Sequence, residues 1–177
     1  MLLSGVHPQT TRSLQGVTGD ETSTCIRQLE ASQANEADLK KLEEVPPDEV
    51  AGYDVVFLGS PLHSGSLSAP VKECLGGVKA SSGQKLAGFI THMVPAYPEQ
   101  DMDAFAEPMK AACKDKGIEY VGCFDCQGAL AEAMHKPVQK KLGMDDEQWA
   151  GMVEQMAGRP NEEDVASAKA CAKKVLG

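Results

Sequence analysis

The sequence predicts a doubly wound α/β fold, a mostly parallel sheet with helices on both faces. The run Val55-Val56-Phe57-Leu58 is continuously apolar, as in a strand covered on both sides; a half-exposed strand would alternate. Two more strand-like segments follow, "KLAGFITHM" at 85–93 and "IEYVGCFDC" at 118–126, each too far from the last for a hairpin. Helical spacing fills the gaps, which implies right-handed crossovers between parallel strands.

Taken in order, "ADLKKLEEV" at 37–45 places Ala37, Leu39 and Leu42 as a weak outer strand. Asp54–Gly59 is the strongest strand. Ser68 then stands as a helix N-cap, Pro70 near the first helical position, and Val71, Cys74 and Leu75 give i, i+3, i+4 spacing. In "DMDAFAEPMKAACKDKG", Met102, Phe105, Ala106, Met109, Ala112 and Cys113 trace one helix face, Pro108 is a point for a kink, and Gly117 is a stop. Residues 127–160 are less regular. Within them Trp149, Met152, Val153 and Met156 have helical spacing between Asp145 and Gly158, a helical insertion over 129–160 with Trp149 as a packing residue. Asn161 caps the last helix, acids follow in its first turn, and Val165, Ala168, Ala172 and Val175 face the core.

The 177 residues contain no repeat and no linker, which predicts a single domain over 1–177. A net charge of −9 without a basic tract disfavours nucleic acid and anionic membrane as partners. It suits solubility, or a protein partner with a basic docking face. No apolar run reaches the ~20 residues of a membrane span, and no basic segment leads into an apolar one at the start, so a cytoplasmic location is expected. Six irregularly spaced cysteines then read as reduced thiols. Cys123 and Cys126 form one C-x-x-C at the end of a strand; they point to opposite faces, and no metal site is expected.

In doubly wound sheets ligands bind outside the carboxyl ends of the strands, which singles out three segments. In "VTGDETSTCIRQL", Thr18, Gly19, Asp20 and Thr22 precede an amphipathic stretch carrying Cys25, Ile26 and Leu29. Such a segment either holds a terminal phosphate on hydroxyls and backbone N–H groups or simply caps a helix. Ser60, Pro61, Leu62, His63, Ser64 and Gly65 form a loop that presents main-chain groups at close range, as the edge of a flat heterocycle requires; the alternative is a turn of ordinary composition. Thr91, His92, Met93 and Tyr97 make the third loop, where Tyr97 would lie against an aromatic ring and Met93 would give a soft apolar contact. His63 and His92 are titratable near neutrality, either as charges beside a ligand or as partners of backbone groups. No residue stands out as catalytic.

"YDVVFLGSPLHSGSLSAPVKECL", "GQKLAGFITHMV", "GIEYVGCFDCQG" and "GRPNEEDVASAKACAKKVL" together resemble the flavodoxin family of FMN-binding proteins over residues 35–177. The most specific part is D-V-V-x-L-G-S-P…G-x-L-x-A-P-V-K. The resemblance implies a five-stranded parallel sheet of order 2-1-3-4-5 with FMN at the strand carboxyl ends, and places Cys126-Gln127-Gly128 at the border of its pocket. Residues 1–17 match poorly. The phosphate loop falls either at 17–22 or at 4–13, where His7, Thr10 and Thr11 would take the roles of Thr18 and Thr22. Between Ser60 and Ala69 there is no aromatic residue, where many electron-transfer flavodoxins carry one. Three functions follow from the resemblance. One is low-potential electron transfer to or from a redox partner, with acids near the flavin and no arginine to favour its anionic reduced form. Another is an FMN-dependent reductase of a quinone- or tetrapyrrole-type acceptor, using NAD(P)H or a reduced carrier. The third is a scaffold that has lost FMN. The oligomeric state stays open.

Overall fold

The computed structural model describes residues 2–7, 10–15, 38–42, 45–63, 66–79, 83–93 and 103–176. Its strands are β1 (Leu2–His7), β2 (Thr10–Gln15), β3 (Asp38–Lys41), β4 (Val55–His63), β5 (Ser66–Leu67), β6 (Lys85–His92) and β7 (Glu119–Gln127). Its helices are α1 (Pro47–Val50), α2 (Ala69–Gly77), α3 (Asp103–Lys116), α4 (His135–Leu142), α5 (Asp146–Met156) and α6 (Glu162–Leu176).

The three strongest predicted strands are β4, β6 and β7, which run parallel in that spatial order. β1 lies on the other side of β4, and β3 pairs β1 at one position, Leu2 with Lys41, so the strand order partly resembles 2-1-3-4-5. The expected all-parallel, five-stranded sheet needs correction at this end. β1 runs antiparallel to β4, and β2 is an additional strand paired along the whole of β1. Only two residues separate β1 from β2, which permits an antiparallel return and no parallel crossover. The poorly matching first residues therefore build an end of a mixed sheet.

Alternation along the central strands sends side chains to two cores. Val56 and Leu58 of β4 and Leu86 and Ile90 of β6 pack with Val71 and Leu75 of α2 and Ala106, Met109 and Cys113 of α3. On the opposite face Val55, Phe57 and Ala87 meet Ala172, while Phe89 and Cys126 meet Val165 and Ala168 of α6. This double cover is why the run 55–58 lacks polar residues. α3 continues through Pro108 as one helix.

Between β7 and α6 the chain forms a short 3-10 turn (Glu132–Met134), α4 and α5. α5 begins with a capping box: Asp145 accepts from the Gln148 N–H at 2.8 Å, and Gln148 accepts from the Asp145 N–H at 3.1 Å. Trp149 is buried, with its ring edge-on to His135 at 5.6 Å. α4 lacked a sequence signal, because none of its residues is buried. Asn161 caps α6 as expected, accepting from the N–H groups of Glu163 and Asp164.

Cys74, Cys113, Cys126 and Cys171 are free thiols. Burial pushes Cys74 and Cys113 up to about 11 from the usual 9.0. Because these values are raised on folding, the stability they contribute is complete below pH 9 and is lost as pH climbs toward 11. Urea midpoints should fall across that window, and less steeply in a Cys74→Ala/Cys113→Ala variant. An unchanged slope in that variant would rule these thiols out as the cause.

Candidate functional site at the carboxyl edge of the sheet

The parallel register brings the predicted segments to one edge. Ser60 pairs with Ile90 and Pro61 with Thr91 across β4 and β6, while Thr91 pairs with Cys126 and His92 with Gln127 across β6 and β7. Thus Ser60, Pro61, Leu62, His63, Thr91, His92, Met93 and Cys126 share one end of adjacent strands. Thr18, Gly19, Asp20, Thr22, Ser64, Gly65 and Tyr97 lie outside the described residues. The alternative phosphate segment 4–13 is occupied by β1 and β2, where His7 pairs with Thr10 and Val6 with Thr11. These are ladder positions, so that register gives no loop at a helix start.

The segment read as a loop from Ser60 is strand as far as His63. Leu62 and His63 gain an antiparallel partner in β5, through Leu62–Leu67 and His63–Ser66. Ser60 is fully buried, and its hydroxyl donates to the Pro61 carbonyl at 2.9 Å and accepts from the Ser68 N–H at 3.1 Å. It thereby ties the end of β4 to the entry of α2. Pro61 and Leu62 are half-buried beside it.

His92 closes β6 and is also part of the ladder. Its side chain is 6% exposed, and Nε2 lies 3.1 Å from Oδ2 of Asp125, which is 35% exposed. The His92 carbonyl accepts from the Gly128 N–H at 2.8 Å, and the Met93 carbonyl from Gln127 Nε2 at 3.3 Å. The turn after β6 is thus fastened to the turn after β7. Met93 itself is half-buried.

Gln127 was expected at the pocket border; Asp125 was not foreseen. Asp125 reaches His92 because of an irregularity in β7. Leu86 pairs with Tyr120 but Gly88 with Cys123, so β7 holds one extra residue there, and Gly122 takes φ 118°. The bulge flips the alternation. Tyr120 packs with the α2/α3 core, yet Phe124 and Cys126 pack beneath α6. Asp125 accordingly faces the side of His92. Cys126 sends its thiol into the core against Phe89, Val165 and Ala168, so only its main chain belongs to the edge.

The side-chain chemistry of this edge is therefore largely engaged within the protein. The half-buried apolar surfaces of Pro61, Leu62 and Met93 remain at this edge. That set suits the ring of FMN, a flat heterocycle that brings its own reactivity. Among the described residues no three of His, Cys, Asp or Glu are placed to hold a metal ion, and no helix is long and apolar enough to cross a membrane.

Comparison with solved structures places the fold among flavodoxins. Flavodoxin 2 of Bacillus cereus, in its oxidised form, superposes with a TM-score of 0.58 at 18% identity, covering 91% of this chain and 96% of that one. Oxidised Flavodoxin 1 of Bacillus cereus gives 0.50 at 15% identity, over 87% and 95% of the two chains. A flavodoxin from the domain Archaea gives 0.50 at 11%, over 93% and 96%. No protein of curated function matches the chain. The model of the flavodoxin domain matches residues 12–173, and the chain belongs to that family.

Proposed function

We propose that this protein binds FMN at the carboxyl edge of β4, β6 and β7 and carries electrons to or from a redox partner. The observation that carries the reading is the convergence of residues 60–63, 91–93 and 126–128 on one edge where side chains are tied inward. Family membership supports the same ligand. Main-chain groups of residues 61–63 and 92–93 would meet the ring, and the segment 17–22 would take the phosphate. When bound, FMN supplies reversible one- and two-electron transfer. The chain orients the ring, shields one side of it from water with Leu62 and Met93, and fixes the end of β6 to β7 through the His92–Asp125 contact. The net charge of −9 favours a partner with a basic docking face.

Titrating FMN with the protein should quench its fluorescence to a one-to-one endpoint. Ser60→Ala, which frees the Ser68 N–H and loosens the strand end, should weaken FMN about tenfold, the effect of one hydrogen bond near 1.4 kcal/mol. Unquenched FMN at high protein concentration would exclude the cofactor and leave the flavin-free scaffold.

The absence of an aromatic residue between Ser60 and Ala69 favours a second reading, a reductase whose ring face is open to a small acceptor. Steady oxidation of NAD(P)H by the FMN-loaded protein with a soluble quinone would select it over the carrier.

A further inference from the structure

Two strands compete for the place beside β4. β1 holds it, antiparallel, with Leu3 opposite Leu58, Ser4 opposite Phe57, Gly5 opposite Val56 and Val6 opposite Val55. β2 lies one strand further out, paired along β1 from Leu2–Gln15 to His7–Thr10. Two antiparallel steps restore the direction, so β2 runs parallel to β4, β6 and β7, and β1 between them runs against all four. The levels also agree. Leu14 is opposite Leu3, and Leu3 is opposite Leu58, so β2 and β4 advance together toward the same edge. The flavodoxin match starts at residue 12, inside β2, and β1 lies outside it. β2 thus has the direction, the level and the family correspondence of a strand that belongs beside β4, and β1 separates it from that place.

We infer that β1 is an exchangeable wedge, which leaves β4 when FMN binds and lets β2 pair with β4 directly. The inference rests on the FMN reading and adds a conformational step to it. β2 ends at Gln15, one step beyond the level of Leu58, and Gly16 alone separates it in sequence from the segment 17–22 proposed for the phosphate. Neighbouring strands lie about 4.8 Å apart, so the end of β2 now stands two spacings, about 9.6 Å, from β4, and one spacing away after the exchange. One FMN molecule has to reach both this strand end and residues 60–63. It therefore binds the arrangement without the wedge better and shifts the population toward it. Without ligand the wedge is favoured, because β1 forms ladders on both its edges and antiparallel pairing is slightly stronger per residue. Its hold is moderate: Ser4 and Gly5 at its centre are weak strand residues, and β3 adds one pairing, Leu2 with Lys41.

A reducible lock tests this. Val6→Cys/Val55→Cys puts two thiols at paired positions, and their oxidation joins β1 to β4; peptide mapping distinguishes this bridge from the native thiols. The locked protein should bind FMN about tenfold more weakly or worse, and dithiothreitol should restore the wild-type affinity. Saturating FMN should in turn slow formation of the bridge. Equal or tighter binding in the locked protein, or a bridge whose formation FMN leaves unchanged or speeds, would overturn the proposal. Hydrogen exchange on the unmodified chain gives a readout that needs no FMN. The amides of residues 2–7 should exchange through an opening that leaves those of 10–15 protected, because β2 closes onto β4. Exchange of both strands in one joint opening would overturn the replacement of β1 by β2. If the wild-type protein fails to quench FMN, the cofactor reading falls, and this exchange pattern still decides whether the strands trade places.

Discussion

Gly122→Val is expected to destabilise the protein by about 2–3 kcal/mol and to weaken FMN binding together with it. Gly122 has φ 118°, a conformation that a β-branched residue does not adopt without strain of this order. No atom lies within 4 Å of a Cβ placed there, so the cost is conformational and not a clash. The chain can escape by removing the bulge, but regular alternation would then turn Asp125 away from His92. Urea denaturation measures the first effect, and FMN titration at a stable temperature the second. Wild-type stability in this variant would mean that the bulge does not require glycine.

Gln84→Leu should cost about 2–4 kcal/mol. Gln84 is 1% exposed, and its Nε2 donates to two buried carbonyls, Val50 at 2.6 Å and Tyr53 at 2.9 Å. Leucine is similar in volume but removes the amide that bonds both carbonyls, at about 1–3 kcal/mol for each bond lost, while the Val50 carbonyl keeps the Tyr53 N–H at 3.4 Å. Oε1 of Gln84 has no partner among the described residues, so the substitution also removes one buried unsatisfied acceptor and the loss stays below the full sum. The side chain holds α1 and the turn before β4 against the start of β6, at the edge opposite the candidate site. Unfolding should therefore come earlier in urea, while FMN affinity below the transition stays unchanged. A loss under 1 kcal/mol would indicate that water reaches these carbonyls.

The central sheet was legible because its physical cause is local. Val55 to Leu58 are apolar without interruption, and both faces of β4 are covered. The last helix was legible through Asn161 and the spacing of Val165, Ala168 and Ala172. What escaped was set by long-range pairing. Pro61 argued against a strand, yet β4 continues past it because β5 folds back onto Leu62 and His63. α4 escaped because a helix with no buried residue carries no periodic signal. The His92–Asp125 contact depends on the β7 bulge, and one extra residue in a ladder is invisible until the register is known. Asp125 also sat inside C-F-D-C, where the cysteines were the more conspicuous chemistry.

The placement of α4 and α5 has a consequence for how the chain can change. They leave after β7 and return to α6, and β7 and α6 touch each other through Cys126, Val165 and Ala168 whatever lies between. The entropy of closing such a connection grows only logarithmically, about 0.6 kcal/mol for each doubling of its length. Sequence can therefore be gained, lost or exchanged between Gly128 and Asn161 at small thermodynamic cost to the sheet. Descendants of this chain are free to alter the surface they present here while inheriting the same carboxyl edge of the sheet.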